Sequence, residues 1–269
     1  MPGLKETEKM DTPLNYGNWV RKKNLALLGT CTLVMGVLFF VPLGPLYHLI
    51  VALLFMLLLI SFLFPFYSFI MFSQKGGKFQ EKIYNLIIQS LALEIKGKIL
   101  DIGCGNGVLA VKLALQFVDA EVTGIDYWGE EWEYSKGVCE QNAQTGRVEG
   151  RVHFRKGDAA ALEFNNETFD GATSNLTFHE VKSAKDKKEV LREALRVVKP
   201  GGSFAFVDYF FEKKYYGEAS ELEEFIRDLN LSQFECKPLK ERMTIPLILR
   251  HPKILGRVAI ISGKKKGSQ

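Results

Sequence analysis

The hydrophobic pattern divides the chain into an apolar region and a region of alternating helix and strand. No Asp, Glu, Lys or Arg occurs between Lys23 and Lys75. This stretch is long enough for two helices of the ~20 apolar residues that cross a bilayer, and the sequence PLGP at residues 42–45 is a strong helix breaker. The pattern therefore predicts transmembrane helices at about 24–41 and 46–72.

The charges that flank the apolar region predict its orientation. Cations precede the first helix and follow the second, whereas the connecting turn carries none. Because cations favour the cytoplasmic side, we expect a two-span integral membrane hairpin over 24–74, with 1–23 and the remainder of the chain in the cytoplasm. A cleaved signal peptide and a buried core hairpin are disfavoured, since the apolar run doubles back and lacks charge on every face. The cations concerned are Arg21, Lys22, Lys23, Lys75 and Lys78.

After Gly76-Gly77, short apolar runs alternate with amphipathic stretches. Strands alternating with helices are typical of an α/β fold, a doubly wound parallel sheet with helices on both faces. Pro65 predicts either a kink in the second apolar helix or the point at which that helix emerges at the membrane interface. The predicted strands are 98–103, 121–126, 152–156, 170–175, 203–209, 232–237 and 257–263, and the predicted helices are 78–95, 106–118, 130–145, 186–198 and 219–229.

Composition excludes several classes of function. The formal charge of +4 is spread among carboxylates, apart from the lysines at 264–266, so no nucleic-acid partner is expected. The four cysteines are far apart and form no CxxC pair, which argues against a disulfide framework and a zinc site. We expect no metal and a reducing compartment.

A glycine-rich loop follows the first predicted strand of the alternating region. It reads GCGNG over residues 103–107, with Val108 where a GxGxxG dinucleotide loop would carry a later glycine. Glycines at this position allow close approach of a ligand, and the helix that follows offers free N–H groups to an anion. The loop alone leaves a nicotinamide-dependent dehydrogenase open as an alternative.

Further motifs make residues 78–266 resemble the class I, Rossmann-like S-adenosylmethionine-dependent methyltransferases, in their small-molecule branch. The resemblance implies a mostly parallel seven-stranded sheet with an antiparallel last strand, and S-adenosylmethionine as cofactor. The matching motifs, in the family's order, are Ile99 to Gly107, the strand-ending acid Asp126, Gly157-Asp158, Phe169-Asp170 running into Ser174-Asn175-Leu176, and Arg196 to Gly202.

The resemblance also implies roles for individual residues. Asp126 would accept hydrogen bonds from the ribose hydroxyls, as an acid does in dinucleotide folds. Asp158 would bind the adenine amino group, Ala159 would supply a backbone contact, and Tyr127 would lie against the adenine. Asp101 would help to hold the amino-acid head, although a cap on the following loop is an equal alternative. The remaining candidate cofactor-binding residues are Gly103, Cys104, Gly105, Gly107 and Asn175.

His179, just after the fourth strand, is the candidate catalytic base, because that loop faces the transferred methyl group in the family. An imidazole titrates near neutral pH and suits proton removal, but this histidine could instead order the loop or pack against the substrate. Asp208 and Tyr209 are weaker candidates for lining the acceptor pocket. Trp128 and Trp132 are ambiguous, because aromatic residues near a helix start usually pack.

The apolar region bears on the acceptor. A site tethered near a bilayer favours a small, hydrophobic or amphiphilic acceptor, such as a lipid, quinone or sterol, and makes the membrane itself a partner through 24–74. Two alternatives stay open: methylation of a soluble metabolite or protein, and a non-catalytic membrane module that binds S-adenosylmethionine. The pattern identifies neither the acceptor atom nor an oligomeric state.

Overall fold

The computed structural model describes residues 12–92, 94–129 and 133–267. The chain forms two compact units. A helical unit comprises Tyr16–Glu81, and an α/β unit comprises the described residues before Tyr16 and from Lys82 onwards.

The helical unit is an antiparallel pair, α1 (Lys22–Leu38) and α2 (Pro45–Phe72). The turn between them includes Gly44, whose φ of +102° suits glycine. Glycines on α1 face aromatic rings of α2: a Cβ added at Gly29 would lie 3.2 Å from the Phe62 ring, and one at Gly36 would lie 3.2 Å from the Phe55 ring. Glycine at these two positions therefore lets the rings pack close to the α1 backbone.

Only one helix among the described residues is long and apolar enough to cross a membrane. It is α2, with 28 residues, a mean hydropathy of 2.9 and 6% of its apolar window buried. The helix runs through Pro65 without a break. The predicted two-span topology is not supported, because α1 has 17 residues and begins with two lysines. It ends before the predicted residue 41, since the chain already turns at Phe39.

The α/β unit is built on one sheet of seven strands in the order β3-β2-β1-β4-β5-β7-β6. The first five strands along the chain pair in parallel, and β7 is antiparallel to both β5 and β6. This confirms the predicted mostly parallel sheet with an antiparallel last strand. The strands are β1 (Gly97–Ile102), β2 (Ala120–Asp126), β3 (Val152–Lys156), β4 (Phe169–Asn175), β5 (Val198–Asp208), β6 (Leu231–Pro238) and β7 (Ala259–Lys265).

Helices connect the strands, and the core lies between sheet and helices. On β5, Phe204 and Phe206 stack with ring centroids 5.3 Å apart, and Phe178 packs edge-on against Phe206 at 5.3 Å. All three side chains are fully buried. The remaining helices are α3 (Phe79–Gln89), α4 (Val108–Gln116), α5 (Lys136–Thr145), α6 (Lys187–Arg196), α7 (Lys213–Tyr216), α8 (Ala219–Asp228) and α9 (Leu239–Arg242).

The largest departures from the predicted elements have local causes. The helix predicted over 78–95 ends at Gln89, since the chain turns at Ser90. The helix predicted over 130–145 begins at Lys136, where the Ser135 hydroxyl accepts from the Val138 N–H; residues 130–132, including Trp132, lie outside the described part of the chain. Short turns that the periodicity could not predict fill the connection between β6 and β7, at Leu247–Arg250 and Pro252–Gly256.

Arg151 fixes the junction between α4 and β2. Its guanidinium donates to three backbone carbonyls, those of Ala114 (2.9 Å), Ala120 (3.0 Å) and Phe117 (3.3 Å). These carbonyls lie at the negative end of the α4 dipole or just beyond it, where a cation is stabilising.

We expect Arg151→Met to lower the free energy of unfolding by about 1–3 kcal/mol, because carbonyls that bound a charged donor lose their partner. Arg155→Met is the matched control. Arg155 pairs with Glu163 at 3.2 Å across exposed side chains, and such a pair contributes at most about 1 kcal/mol. Thermal and urea unfolding of both variants compare the two effects. Equal losses would contradict the role given to Arg151.

Candidate active site

The glycine loop after β1 adopts positive φ angles that would be strained for any other residue. Gly103, Gly105 and Gly107 have φ of +73°, +56° and +74°. A Cβ at Gly103 would lie 2.0 Å from the Thr177 hydroxyl, and one at Gly107 would lie 2.6 Å from the Phe154 ring. At Gly105 the nearest atom would be 3.6 Å away, on Tyr134. The loop is therefore packed on the protein side at its two ends and roomier at its centre.

Asp126 and Trp128 hold the centre of this loop. The carboxylate of Asp126, at the end of β2, accepts from the N–H groups of Gly105 (2.9 Å) and Trp128 (2.8 Å). The Trp128 indole in turn donates to the Gly105 carbonyl at 2.9 Å. Burial raises the pKa of Asp126, and the backbone N–H groups oppose that rise. Trp128, which the sequence left ambiguous, thus lies within the loop's hydrogen-bond network.

Asp101 is a carboxyl buried within the sheet, 1% exposed. Its Oδ1 accepts from the Thr173 hydroxyl at 3.1 Å, while its Oδ2 has no hydrogen-bond partner among the described residues. Burial raises its pKa to about 7; the Thr173 hydroxyl and the Ala110 N–H lower it, and the charge of Asp126 adds to the rise. The contact of Asp101 with the Ala110 N–H, in the first turn of α4, agrees with the alternative role of Asp101 as a cap. That role does not require the unpaired Oδ2 atom.

Unpaired acceptors gather at this edge of the sheet. Buried oxygens without a partner in the described residues include Asp101 Oδ2, Asn106 Oδ1 and Asn175 Oδ1. They lie on β1, the loop after it and the end of β4, where the strand order reverses and where open α/β sheets bind ligands. A buried acceptor without a donor costs about 1–3 kcal/mol. Donors on a ligand, such as an ammonium and hydroxyl groups, would satisfy these oxygens.

The ends of β2 and β3 carry the other predicted cofactor residues. Asp126 is paired in register with Lys156, so Tyr127 and Asp158 follow neighbouring strands at the same edge. The Asp158 Oδ1 accepts from the Ala160 N–H at 2.9 Å, and Ala159 is buried. Tyr127 is 64% exposed, with the Lys156 ammonium 4.7 Å from its ring centre.

Cys104, also predicted at the cofactor site, is buried with Cys139 beneath the loop. The Cys139 thiol donates to the Gly105 carbonyl at 3.1 Å. Burial raises the pKa of the Cys104 thiol well above its ordinary value, and the neighbouring Cys139 adds to the rise. A thiol that stays protonated is a poor nucleophile, so we do not expect Cys104 to take part in the chemistry at this edge of the sheet.

His179 and Asp208 form a hydrogen-bonded pair at the same edge. The imidazole Nδ1 lies 2.7 Å from Asp208 Oδ1, and the His179 backbone N–H donates to Asp208 Oδ2 at 3.2 Å. Asp208 is fully buried at the end of β5, and the His179 side chain is 11% exposed. The buried carboxylate therefore orients the ring, with Nδ1–H as donor, so that the neutral imidazole carries its lone pair on Nε2, which lies 3.6 Å from Glu180 Oε1.

Electrostatics favour the protonated imidazole. Burial lowers the pKa of His179, but the charge and hydrogen bond of Asp208 outweigh it, with a contribution from Glu180, so the pKa lies above its ordinary value of 6.5. Aromatic rings surround the imidazole, with Tyr209 at 4.7 Å and Tyr215 at 5.4 Å between ring centres. The Tyr209 hydroxyl donates to the Ile254 carbonyl at 2.7 Å, which ties the connection between β6 and β7 to this pair.

The segment that carries His179 contacts the glycine loop. Thr177, which packs against Gly103, precedes His179 by two residues in the segment that follows β4. The structure thus brings together at one edge all the predicted cofactor residues, the candidate base and both residues suggested for the acceptor pocket. Sequence reasoning missed Asn106, Tyr215 and Tyr216, whose buried hydroxyl also has no partner among the described residues.

A family model described as a methyltransferase domain matches residues 93–246. The chain belongs to this methyltransferase family. Its cofactor is S-adenosylmethionine, which the unpaired acceptors and the glycine loop are suited to hold.

Known methyltransferases are similar to part of this chain. The chain is 34% identical over 119 residues to 27-O-demethylrifamycin SV methyltransferase of Amycolatopsis mediterranei, covering 44% of this chain and 41% of that one. It is 35% identical over 112 residues to demethylmenaquinone methyltransferase of Leptospira interrogans, covering 41% and 42%. The matched region thus spans less than half the length of these relatives.

The fold is shared with solved structures. Geranyl diphosphate C-methyltransferase from Streptomyces coelicolor, solved with S-adenosylhomocysteine, superposes with a TM-score of 0.53 at 13% identity, over 70% of this chain and 80% of the other. At that identity the likeness shows the methyltransferase fold alone.

We expect Asp101→Asn to stabilise the ligand-free methyltransferase near pH 8. The folded pKa of about 7 exceeds the ordinary value of 3.8, so ionising Asp101 opposes folding. Below the pKa of Asp101 in the unfolded chain this effect is absent. Between that value and the pKa in the folded protein, the free energy of unfolding falls as the pH rises. The relief is at most about 4 kcal/mol near pH 8, at ~1.4 kcal/mol per pKa unit. Unfolding midpoints near pH 4 and pH 8 measure it. A gain that is the same at both pH values would contradict this account.

Proposed function

We propose that this chain transfers the methyl group of S-adenosylmethionine to a small hydrophobic or amphiphilic acceptor that arrives with a proton on the attacking atom. The observation that carries the proposal is the His179–Asp208 pair, 2.7 Å between Nδ1 and Oδ1, at the sheet edge that holds the cofactor loop. A methyltransferase needs a base only when its nucleophile arrives protonated. A buried carboxylate that orients an imidazole is an arrangement suited to that task.

The residues divide the work between binding and proton transfer. The cofactor supplies a methyl group already activated by a positively charged sulfur. Asp101 Oδ2 and Asn175 Oδ1 would accept from its amino-acid head, and Asp126 and Asp158 would accept from its ribose and adenine. With the acceptor aligned on the methyl–sulfur axis, positioning supplies much of the rate, up to about 7–11 kcal/mol in favourable cases.

His179 handles the proton that the acceptor loses. S-adenosylmethionine would supply the methyl group to the acceptor atom. The Nε2 lone pair of His179 would take the proton that this atom loses, and Asp208 would stabilise the resulting imidazolium. Asp208 acts here as a positioning residue, because it touches the imidazole and its backbone rather than the reacting atoms.

The helical unit supports a membrane location. Aliphatic side chains on α2 such as Leu53, Leu57 and Ile60 are 63–64% exposed, which water disfavours and hydrocarbon does not. We place α2 as the spanning element, with α1 packed along it. The cations Lys75 and Lys78 that follow α2 favour the cytoplasmic side for the methyltransferase domain.

A bilayer-held enzyme favours an acceptor that partitions into lipid. The name of the Leptospira relative refers to demethylmenaquinone, a quinone, and the aromatic rings of Tyr209 and Tyr215 beside His179 offer an apolar surface to such a molecule. A soluble metabolite or protein acceptor is the alternative.

The pH dependence of transfer tests the base. We expect the rate to rise with pH through a midpoint above 6.5, because His179 accepts a proton only when neutral and Asp208 raises its pKa. In Asp208→Asn the midpoint should move to lower pH, since the charge that favours imidazolium is gone, while kcat falls because the ring loses its orientation. Glu180→Gln, the matched carboxylate control, should shift the midpoint less. His179→Ala should cost about 10²–10⁴ in rate.

Methylation that is independent of pH and unchanged in His179→Ala would show that the imidazole orders the loop and removes no proton. The acceptor atom would then be one that needs no base.

Transfer itself is tested with methyl-labelled S-adenosylmethionine, the full-length chain and a membrane extract. We expect label in the organic phase, and we expect it to be lost in Asp126→Ala, because the loop and the ribose both lose their acceptor. Glu121→Ala, which removes an exposed carboxylate at the other end of β2, is the control and should retain activity. Label in the aqueous or protein fraction would favour the soluble acceptor. Cofactor binding with no labelled product would favour a non-catalytic module.

A further inference from the structure

The connection between β6 and β7 exposes apolar side chains at its tip. Leu247 is 80% exposed and the adjacent Ile248 is 46% exposed. Among the described residues of the α/β unit, the other large apolar side chains with comparable exposure are Val118, Tyr127 and Phe234, each isolated in sequence from the others. Leu247 is the most exposed of the five. We call residues 246–257 the tip segment.

The tip segment is held firmly although its tip is exposed. Neighbouring side chains anchor it: Ile245 is 1% exposed, Leu249 is fully buried and Leu255 is 2% exposed. The Leu249 N–H donates to the Pro246 carbonyl at 3.0 Å, and the Tyr209 hydroxyl donates to the Ile254 carbonyl. Leu247 and Ile248 are therefore presented to the surroundings by a packed turn.

The tip segment itself carries cations and no carboxylate. No Asp or Glu follows Glu241, whereas residues 242–269 contain seven Lys and Arg. Within the tip segment, Arg250 and Lys253 are exposed, and Arg257 is 44% exposed beside Glu212. Apolar side chains flanked by cations, without intervening carboxylates, complement a surface that offers hydrocarbon below a layer of anionic groups.

The tip segment lies at the edge of the sheet that carries the active site. Because β7 runs antiparallel to β5 and its first residue, Ala259, pairs with Asp208, the connection that precedes β7 emerges beside the His179–Asp208 pair. A surface bound by Leu247 would thus lie next to the acceptor side of the site.

We propose that the tip segment docks on the surface of an anionic phospholipid bilayer, with Leu247 and Ile248 inserted among the headgroups and Arg250 and Lys253 over the phosphates. This inference rests on the proposed membrane location and deepens it. A bilayer-resident acceptor then reaches the active-site edge without crossing water.

Hydrogen exchange of the full-length protein in lipid nanodiscs tests the docking. Discs of phosphatidylcholine alone are compared with discs that also contain phosphatidylglycerol. We expect the amides of the tip segment to exchange more slowly in the anionic discs. Leu247→Ser combined with Ile248→Ser should reduce the docked-to-undocked ratio about tenfold or more, and Lys253→Gln about fivefold, the effect of one cation near an anionic surface.

Val118→Ser is the matched control, because Val118 is 54% exposed but lies beyond the end of α4, away from the strand ends that carry the active site; it should leave the exchange unchanged. Equal exchange in the two lipid compositions, or slow exchange that survives the double serine variant, would overturn the docking; the second result would point to contact with another protein surface.

Two separate readouts report on the proposed function. Slow exchange over α2 in both disc types tests the membrane anchor, and label transfer tests catalysis. If α2 is unprotected, vesicles of the same two compositions are added to the full-length protein, and the comparison over the tip segment still decides the docking.

Discussion

Left-handed backbone geometry after β1 is the constraint on which the active-site edge depends. Three glycines at alternate positions bend the chain, and at Gly103 and Gly107 the side chains of Thr177, just after β4, and Phe154, on β3, fill the space that a Cβ atom would take. That bend brings the Gly105 N–H to the Asp126 carboxylate, and the indole of Trp128 closes the arrangement from the other side. The proposed cofactor site and the packing of the sheet therefore depend on the same few atoms.

The edge separates two kinds of buried acid. Asp101 is buried with an oxygen that nothing in the described protein satisfies, which makes it costly to ionise until a cation arrives. Asp208 is equally buried, but the imidazole and the backbone N–H of His179 satisfy it. Asp101 is suited to ligand binding and Asp208 to the control of a proton, although both lie in the same sheet.

Much of this arrangement could be predicted from sequence because it depends on periodicity and on spacing along the chain. The alternation of strands with helices and the residues that follow the parallel strands come from such patterns, and the glycine loop with Asp126 and Asp158 is one of them. The pairing of His179 with Asp208 could not be derived, since it joins residues 29 apart through the packing of β4 beside β5. The end of α1 was placed three residues too late, at 41 instead of Leu38, because hydropathy does not show where a helix turns back.

The antiparallel direction of β7 has a consequence for how such an enzyme can diversify. The connection before this strand contains twenty residues, 239–258, and returns to the sheet at Ala259 without passing through the glycine loop. Its exposed tip can change while the register of all seven strands and the backbone of the glycine loop stay the same. The surface beside the His179–Asp208 pair can thus be exchanged as one unit, by grafting this connection between related chains.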